Sequence, residues 1–170
     1  LITGGAGYIG SHVSEVLVKN KKKIFITDNL STGYKKLINK KGKFFKVNIN
    51  NKKKIKSIIV NNKIDTVIHL AASLIIGEGE KYPKFYYKNN VIGTKNLISA
   101  CIGTKVKNFI FSSTAAVYKD GLYKVTEKSI TRPKSVYGKT KLKAEKIIIK
   151  KCKKNNINYG ILRYFNIVGS

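Results

Sequence analysis

Arginine is nearly missing from this 170-residue chain: of its 35 basic residues only Arg132 and Arg163 carry a guanidinium, although the formal net charge is +27. A charge that large invites a nucleic-acid reading. Recognition of phosphates and base edges favours the planar arginine fork, which lysine lacks. Lysine, asparagine and isoleucine are inflated together along the whole chain, as a compositional bias would produce. The lysine clusters, KNKKK at 19–23, NKKKIK at 51–56 and KKCKK at 150–154, fall on expected helix ends and turns. A solvated basic surface with no specific nucleic-acid partner is therefore expected. A catalytically idle basic nucleic-acid-binding module stands as the alternative from another class.

Other absences narrow the class. No apolar run approaches the roughly 18 residues of a membrane span, and no signal peptide is visible. The two cysteines, Cys101 and Cys152, have no CxxC or histidine companions. That argues against a disulfide or metal site and points to a reducing, cytoplasmic compartment. Proline occurs only at 83 and 133, each just ahead of an expected helix, where a missing N–H is tolerated. Repeats and linker tracts are lacking, and the length suits one domain. The chain opens without Met on LITGG and stops at NIVGS with no terminating pattern, so a piece of something longer is expected.

What is present is a regular alternation. After the apolar start LIT, residues 8–19 carry a helical pattern, IFIT at 24–27 and FFKV at 44–47 read as strands, and 52–61 as a short helix. TVIHLAA at 66–72 reads as a buried strand running into a loop. A longer helix is expected over 83–102, a strand at 108–113, a helix over 136–154 and a strand at 158–165. Short apolar strands alternating with amphipathic helices mean an α/β domain, a doubly wound parallel sheet covered on both faces.

The turn TGGAGYIG, residues 3–10, follows the first strand and opens the first helix. Its glycines satisfy G-x-G-x-x-G from Gly5 and the shifted pattern at Gly4, Gly7 and Gly10. Such glycines allow a tight turn and the close approach of a pyrophosphate to a helix N-terminus. Asp28 follows eighteen residues after Gly10, at the end of the next strand. Its carboxylate can accept hydrogen bonds from an adenosine ribose and would repel a 2′-phosphate, which favours NAD over NADP.

SVYGKTK, residues 135–141, sets Tyr137 four positions before Lys141, on one helix face. With ten tyrosines in so lysine-rich a chain, about two such pairs are expected by accident and one occurs. Its surroundings decide its meaning, because the pair opens a helix after the strand that ends in the Ser/Thr cluster of FSSTAAVY, 111–118. With TGGAGYIGSH, DNLSTG, IDTVIHLAA, YYKNNVIGT, VKNFIFSSTAAVY and LRYFN in order, nearly the whole chain resembles the N-terminal half of the extended short-chain dehydrogenases/reductases. The similarity is strongest to their UDP-hexose 4-epimerases.

The resemblance implies a Rossmann-type NAD-binding domain over residues 1–170, with the C-terminal substrate domain absent. It implies NAD-dependent interconversion of UDP-glucose and UDP-galactose through a transient 4-keto sugar, in a homodimer. Other nucleotide-sugar epimerases and 4,6-dehydratases are the alternatives. Thr114, Tyr137 and Lys141 match the catalytic residues, and Thr114, Tyr137 and Asn166 the sugar contacts. Cofactor contacts are implied at Gly4, Gly7, Tyr8, Ile9 and Gly10, at Asp28, Asn29, Leu30, Ser31, Thr32 and Gly33, and at Asn48 and Ile49. Further ones are implied at Leu70, Ala71, Ala72, Ser73 and Leu74, at Asn90 and at Phe165, together with Thr114, Tyr137 and Lys141. The family usually has Asp where Asn48 stands, lysine in some members where Leu74 stands, and glycine where Lys119 stands. Asn48 is expected to accept from the adenine amino group through its amide oxygen.

A phenol near pKa 10 is a poor base, and the Lys141 ammonium with the positive nicotinamide of NAD⁺ is expected to lower that value. His12 and His69 read as packing residues, and Glu78 and Glu80 as solvated loop carboxylates. Tyr82, Phe85, Tyr86 and Tyr87 read as helix core or dimer surface.

Overall fold

In the computed structural model, which describes residues 1–121 and 123–168, six parallel strands form one sheet. They are β1 (Ile2–Thr3), β2 (Phe25–Asp28), β3 (Lys43–Lys46), β4 (Thr66–His69), β5 (Asn108–Thr114) and β6 (Asn158–Tyr164), in the order β3-β2-β1-β4-β5-β6. The order reverses between β1 and β4, and in a doubly wound sheet the crevice beyond the strand ends at that point is the ligand site. The last two residues of the NIVGS tail lie outside the described residues.

Helices cover the sheet unequally. Helix α1 (Tyr8–Lys19) packs Val13, Leu17 and Val18 on a small cluster of Ile2, Ile24 and Ile26. The other face carries α2 (Lys52–Asn61), α5 (Thr94–Cys101) and α6 (Val136–Lys154) over the larger core. Along β5 the burial alternates with period two, sending Phe109, Phe111 and Ser113 to that side.

Helices 52–61 and 136–154 have the expected bounds. Strand β2 lies one residue later than expected and β3 one residue earlier, as their pairing of Phe25 with Lys43 and Asp28 with Lys46 requires. The single helix expected over 83–102 is instead three helical segments. α4 (Pro83–Tyr86) and α5 flank a π-helical stretch, Tyr87–Gly93, with right-handed helical backbone at the junction residues Tyr86, Tyr87, Gly93 and Thr94. A short helix that the sequence did not announce, α3 (Ile76–Lys81), packs against α4 and α6. Glu78 and Glu80 thus sit on a helix, which corrects their reading as loop residues. Glu80 Oε1 also accepts from the Val136 backbone N–H at 2.7 Å, so it helps Ser135 cap α6.

Candidate active site

At the switch point a cavity of about 670 Å³ runs from the glycine turn to the start of α6. Gly4 sits at φ +73°, where β1 turns beneath the end of β4; a Cβ there would stand 2.6 Å from the Ala71 nitrogen. Gly7 caps α1 and lines the cavity, and a Cβ on it would meet only the Gly4 carbonyl, at 3.3 Å. That leaves a bare cradle at a positive helix end, with no acidic residue in the first turn to compete for it. Asp28 closes the far side. Its Oδ2 accepts from Ala6 N at 3.0 Å and its Oδ1 from Leu30 N at 2.8 Å, which fixes the carboxylate against the glycine turn. A pyrophosphate on the turn and a ribose at Asp28 fit these residues.

Most of the sequence-derived positions line this cavity. Gly4, Gly7, Tyr8, Ile9 and Gly10 line it from the turn, and Asp28, Asn29, Ser31, Thr32 and Gly33 from the loop after β2. Asn48, Ile49, Leu70, Ala71, Ala72, Leu74, Thr114, Tyr137, Phe165 and Asn166 complete the set. Leu30, Ser73, Asn90 and Lys141 are not among the lining residues. Asn90 is buried, accepting from Ser73 N at 2.8 Å and donating to Ser73 O and Thr140 Oγ1 at 2.9 and 3.2 Å. Its role here is to hold the loop after β4, while its neighbour Asn89 lines the cavity. The Asn48 amide oxygen is likewise engaged, accepting from Asn50 N and Nδ2 at 2.8 and 3.1 Å rather than pointing free toward a base. Thr27, Val47, Ile76, Ser112, Ser113, Ala115, Ala116, Tyr164 and Ile167 also line the cavity. Sequence reasoning passed over them, and for those flanking a recognised motif adjacency was the available signal.

Thr114 and Tyr137 come together on the cavity wall where β5 ends. Thr114 Oγ1 accepts from Ala116 N at 3.2 Å, which leaves its hydroxyl hydrogen for the Tyr137 phenol. Gly138 makes the meeting possible: a Cβ there would lie 2.4 Å from the Ala116 carbonyl oxygen, so only glycine lets α6 come this close to the turn after β5. Burial pushes the Tyr137 phenol up, and the Thr114 hydrogen bond pulls it down without cancelling that rise. Lys141 is 2% exposed, with its ammonium 4.2 Å from the centroid of the Phe111 ring, and burial pushes it down to about 7. The expectation that Lys141 lowers the phenol is thus corrected for the protein's own groups. With a pKa of about 7 the Lys141 amine has lost its charge over the range in which a phenol titrates, so it cannot hold a phenolate there.

His69 has a structural part. The Thr94 hydroxyl donates to Asn90 O at 2.6 Å, so it accepts from His69 Nε2–H at 2.9 Å. His69 Nδ1 then accepts from the Thr3 hydroxyl at 2.7 Å. Burial holds this imidazole neutral, with a pKa pushed down to about 3. His12 packs edge-on against Tyr8, with ring centroids 5.0 Å apart. Tyr86 is core, its hydroxyl donating to Ile75 O at 2.6 Å, whereas Tyr82, Phe85 and Tyr87 are exposed.

A doubly wound sheet with a glycine cradle at a helix N-terminus, an acidic residue across the cavity and Thr114 and Tyr137 at its wall defines a Rossmann-type dinucleotide-binding domain. The chain belongs to the NAD dependent epimerase/dehydratase family, which it matches over residues 1–170. It is 40% identical to a UDP-glucose 4-epimerase of Lactobacillus helveticus over 173 aligned residues, covering 100% of this chain and 52% of that protein. The crystal structure of UDP-glucose 4-epimerase from Thermotoga maritima with UDP-glucose is similar at a TM-score of 0.93 and 33% identity, over 99% of this chain and 55% of that one. The Brucella ovis UDP-glucose 4-epimerase in complex with NAD matches at a TM-score of 0.93 and 36% identity, over 97% and 51%. The chain spans about half the length of the curated relatives it matches.

Proposed function

We propose that the protein supplies the cofactor-binding and proton-transfer half of a UDP-sugar 4-epimerase that interconverts UDP-glucose and UDP-galactose. The observation that carries this reading is that Thr114 and Tyr137 line one wall of a cavity that also reaches Asp28 and the glycine turn. Gly4, Gly7 and the α1 N-terminus would hold the pyrophosphate of NAD, and Asp28 its adenosine ribose. Leu70 to Ala72, Leu74 and Phe165 would flank the rest. Bound NAD would supply a hydride acceptor for C4 of the sugar and a positive ring that favours a phenolate.

Tyr137 takes the proton of the sugar 4-hydroxyl and later gives it back. Thr114 donates to the phenolic oxygen and steadies the charge that forms there. Asn166, on the cavity wall beyond β6, would touch the sugar nucleotide. Ala115 and Ala116 follow Thr114, and neither can move a proton, so elimination of water across C5 and C6 lacks an acid and a base at that spot.

The remaining walls of the sugar site are assigned to a C-terminal substrate domain, and residues 1–170 alone are expected to bind NAD weakly and to turn over no substrate. The exposed rings of Tyr82, Phe85 and Tyr87 support a homodimer of the longer protein. Incubating that protein with UDP-galactose tests the assignment: UDP-glucose should form, and a 4-keto-6-deoxy product detected by mass spectrometry would move the protein to the dehydratases.

A further inference from the structure

Glu145 lies on α6 one turn beyond Lys141 and two beyond Tyr137, and it is 1% exposed. Both of its carboxylate oxygens are engaged. Oε1 accepts from the Ser113 hydroxyl and from Arg163 Nε at 3.1 Å, and Oε2 accepts from Arg163 Nη2 at 2.7 Å. Ser113 is the residue before Thr114 on β5, and Arg163, its register partner on β6, precedes Tyr164, Phe165 and Asn166 at the cavity wall. One side chain therefore joins β5 and α6, which carry Thr114 and Tyr137, to β6. Arg163 is held from behind as well, over the Tyr118 ring at 5.0 Å and against Glu127 O at 3.4 Å.

We propose that Glu145 is a positioning residue and the buried counter-charge of Lys141, locking α6 to β5 and β6 beneath the reacting pair. The role rests on reading Lys141 as the partner of Tyr137. A buried ammonium needs an anion or a polarisable face nearby. Lys141 has both, in Glu145 one turn away and in the Phe111 ring. Neutral His69 from β4 is also coupled to it, and the Arg163 cation from β6 holds the same carboxylate. The bidentate Arg163 contact orients Glu145 and also draws on its charge, so Arg163 and Lys141 compete for one anion.

That competition has a sign that mere packing does not. Lysine Cε resonances of labelled protein, followed by NMR through a pH titration, report the Lys141 ammonium directly. Its signal is displaced by the Phe111 ring current and is assigned by its loss in Lys141→Arg. Glu145→Gln, which keeps the shape and removes the charge, should lower the Lys141 midpoint by at least about one pH unit, a tenfold change. Arg163→Gln should raise it. An unchanged midpoint in folded Glu145→Gln overturns the proposal, and so does a fall in Arg163→Gln. Should Glu145→Gln fail to fold, the Arg163→Gln titration decides alone, a rise supporting the proposal and no rise overturning it. The readout needs neither cofactor nor sugar, so failure of the epimerase reading would appear separately, as loss of NAD or UDP-sugar binding with the titrations intact.

Discussion

Gly138 and Ala116 stand so close that a single added carbon on Gly138 would lie 2.4 Å from the Ala116 carbonyl oxygen and 2.9 Å from the Pro133 Cβ. Neither neighbour is the flexible end of a side chain. Gly138→Ala must therefore push the start of α6 away from the turn after β5, and with it Tyr137 from Thr114. Overpacking of this kind costs about 1–3 kcal/mol. Urea unfolding should show a lowered midpoint with unchanged slope, and a wild-type midpoint would show that α6 has room to shift.

Asp28 presents a carboxylate to the cavity, fixed by the backbone N–H groups of Ala6 and Leu30. A 2′-phosphate placed there meets like charge at short range. NAD⁺ should bind more tightly than NADP⁺ by at least about tenfold, or about 1.4 kcal/mol. Isothermal titration at moderate salt measures this, and equal affinities would remove Asp28 as the residue that selects the cofactor.

Tyr137→Phe removes one oxygen from a half-buried ring and should leave the unfolding curve nearly unchanged. In the longer protein, turnover of UDP-galactose should fall by roughly 10²–10⁴-fold, the usual worth of a positioned proton-transfer group. Turnover close to that of the unaltered enzyme would take Tyr137 out of the mechanism.

His69 links stability to acid. Its folded pKa, about 3, lies below the ordinary value of 6.5, so between those limits the unfolded chain binds the extra proton. Stability therefore falls as pH drops from 6.5 toward 3, by an amount on the order of a few kcal/mol. Glutamine can accept from Thr3 and donate to Thr94 without titrating, so His69→Gln should flatten this part of the curve. Parallel urea midpoints for the two proteins at pH 7, 5 and 4 would contradict the assignment.

Helices α2 and α6 were legible to the residue in the sequence, because an amphipathic period and its flanking caps are local properties of the chain. The glycine turn, Asp28 and the Ser/Thr strand were legible for a related reason: each is a short run whose neighbours in sequence are its neighbours in space. The strand ends of β2 and β3 were not, since pairing with each other sets where both begin. Nor was α3, whose IGEGEK carries no apolar period and is helical where it packs on α4 and α6. Only the tertiary structure turned Asn90 inward, through the π-helical stretch that carries it, and left Asn89 on the cavity. It alone brought Ser113, Glu145 and Arg163 together across separations of 32 and 18 residues, by the register of β5 with β6 and the seating of α6 on both. The sequence sufficed to mark Tyr137 and Lys141 as a pair by their spacing on one helix face. Their electrostatics depended on how much water the folded chain excludes around each, and desolvation is set by packing from β4, β5 and β6, which no local pattern encodes.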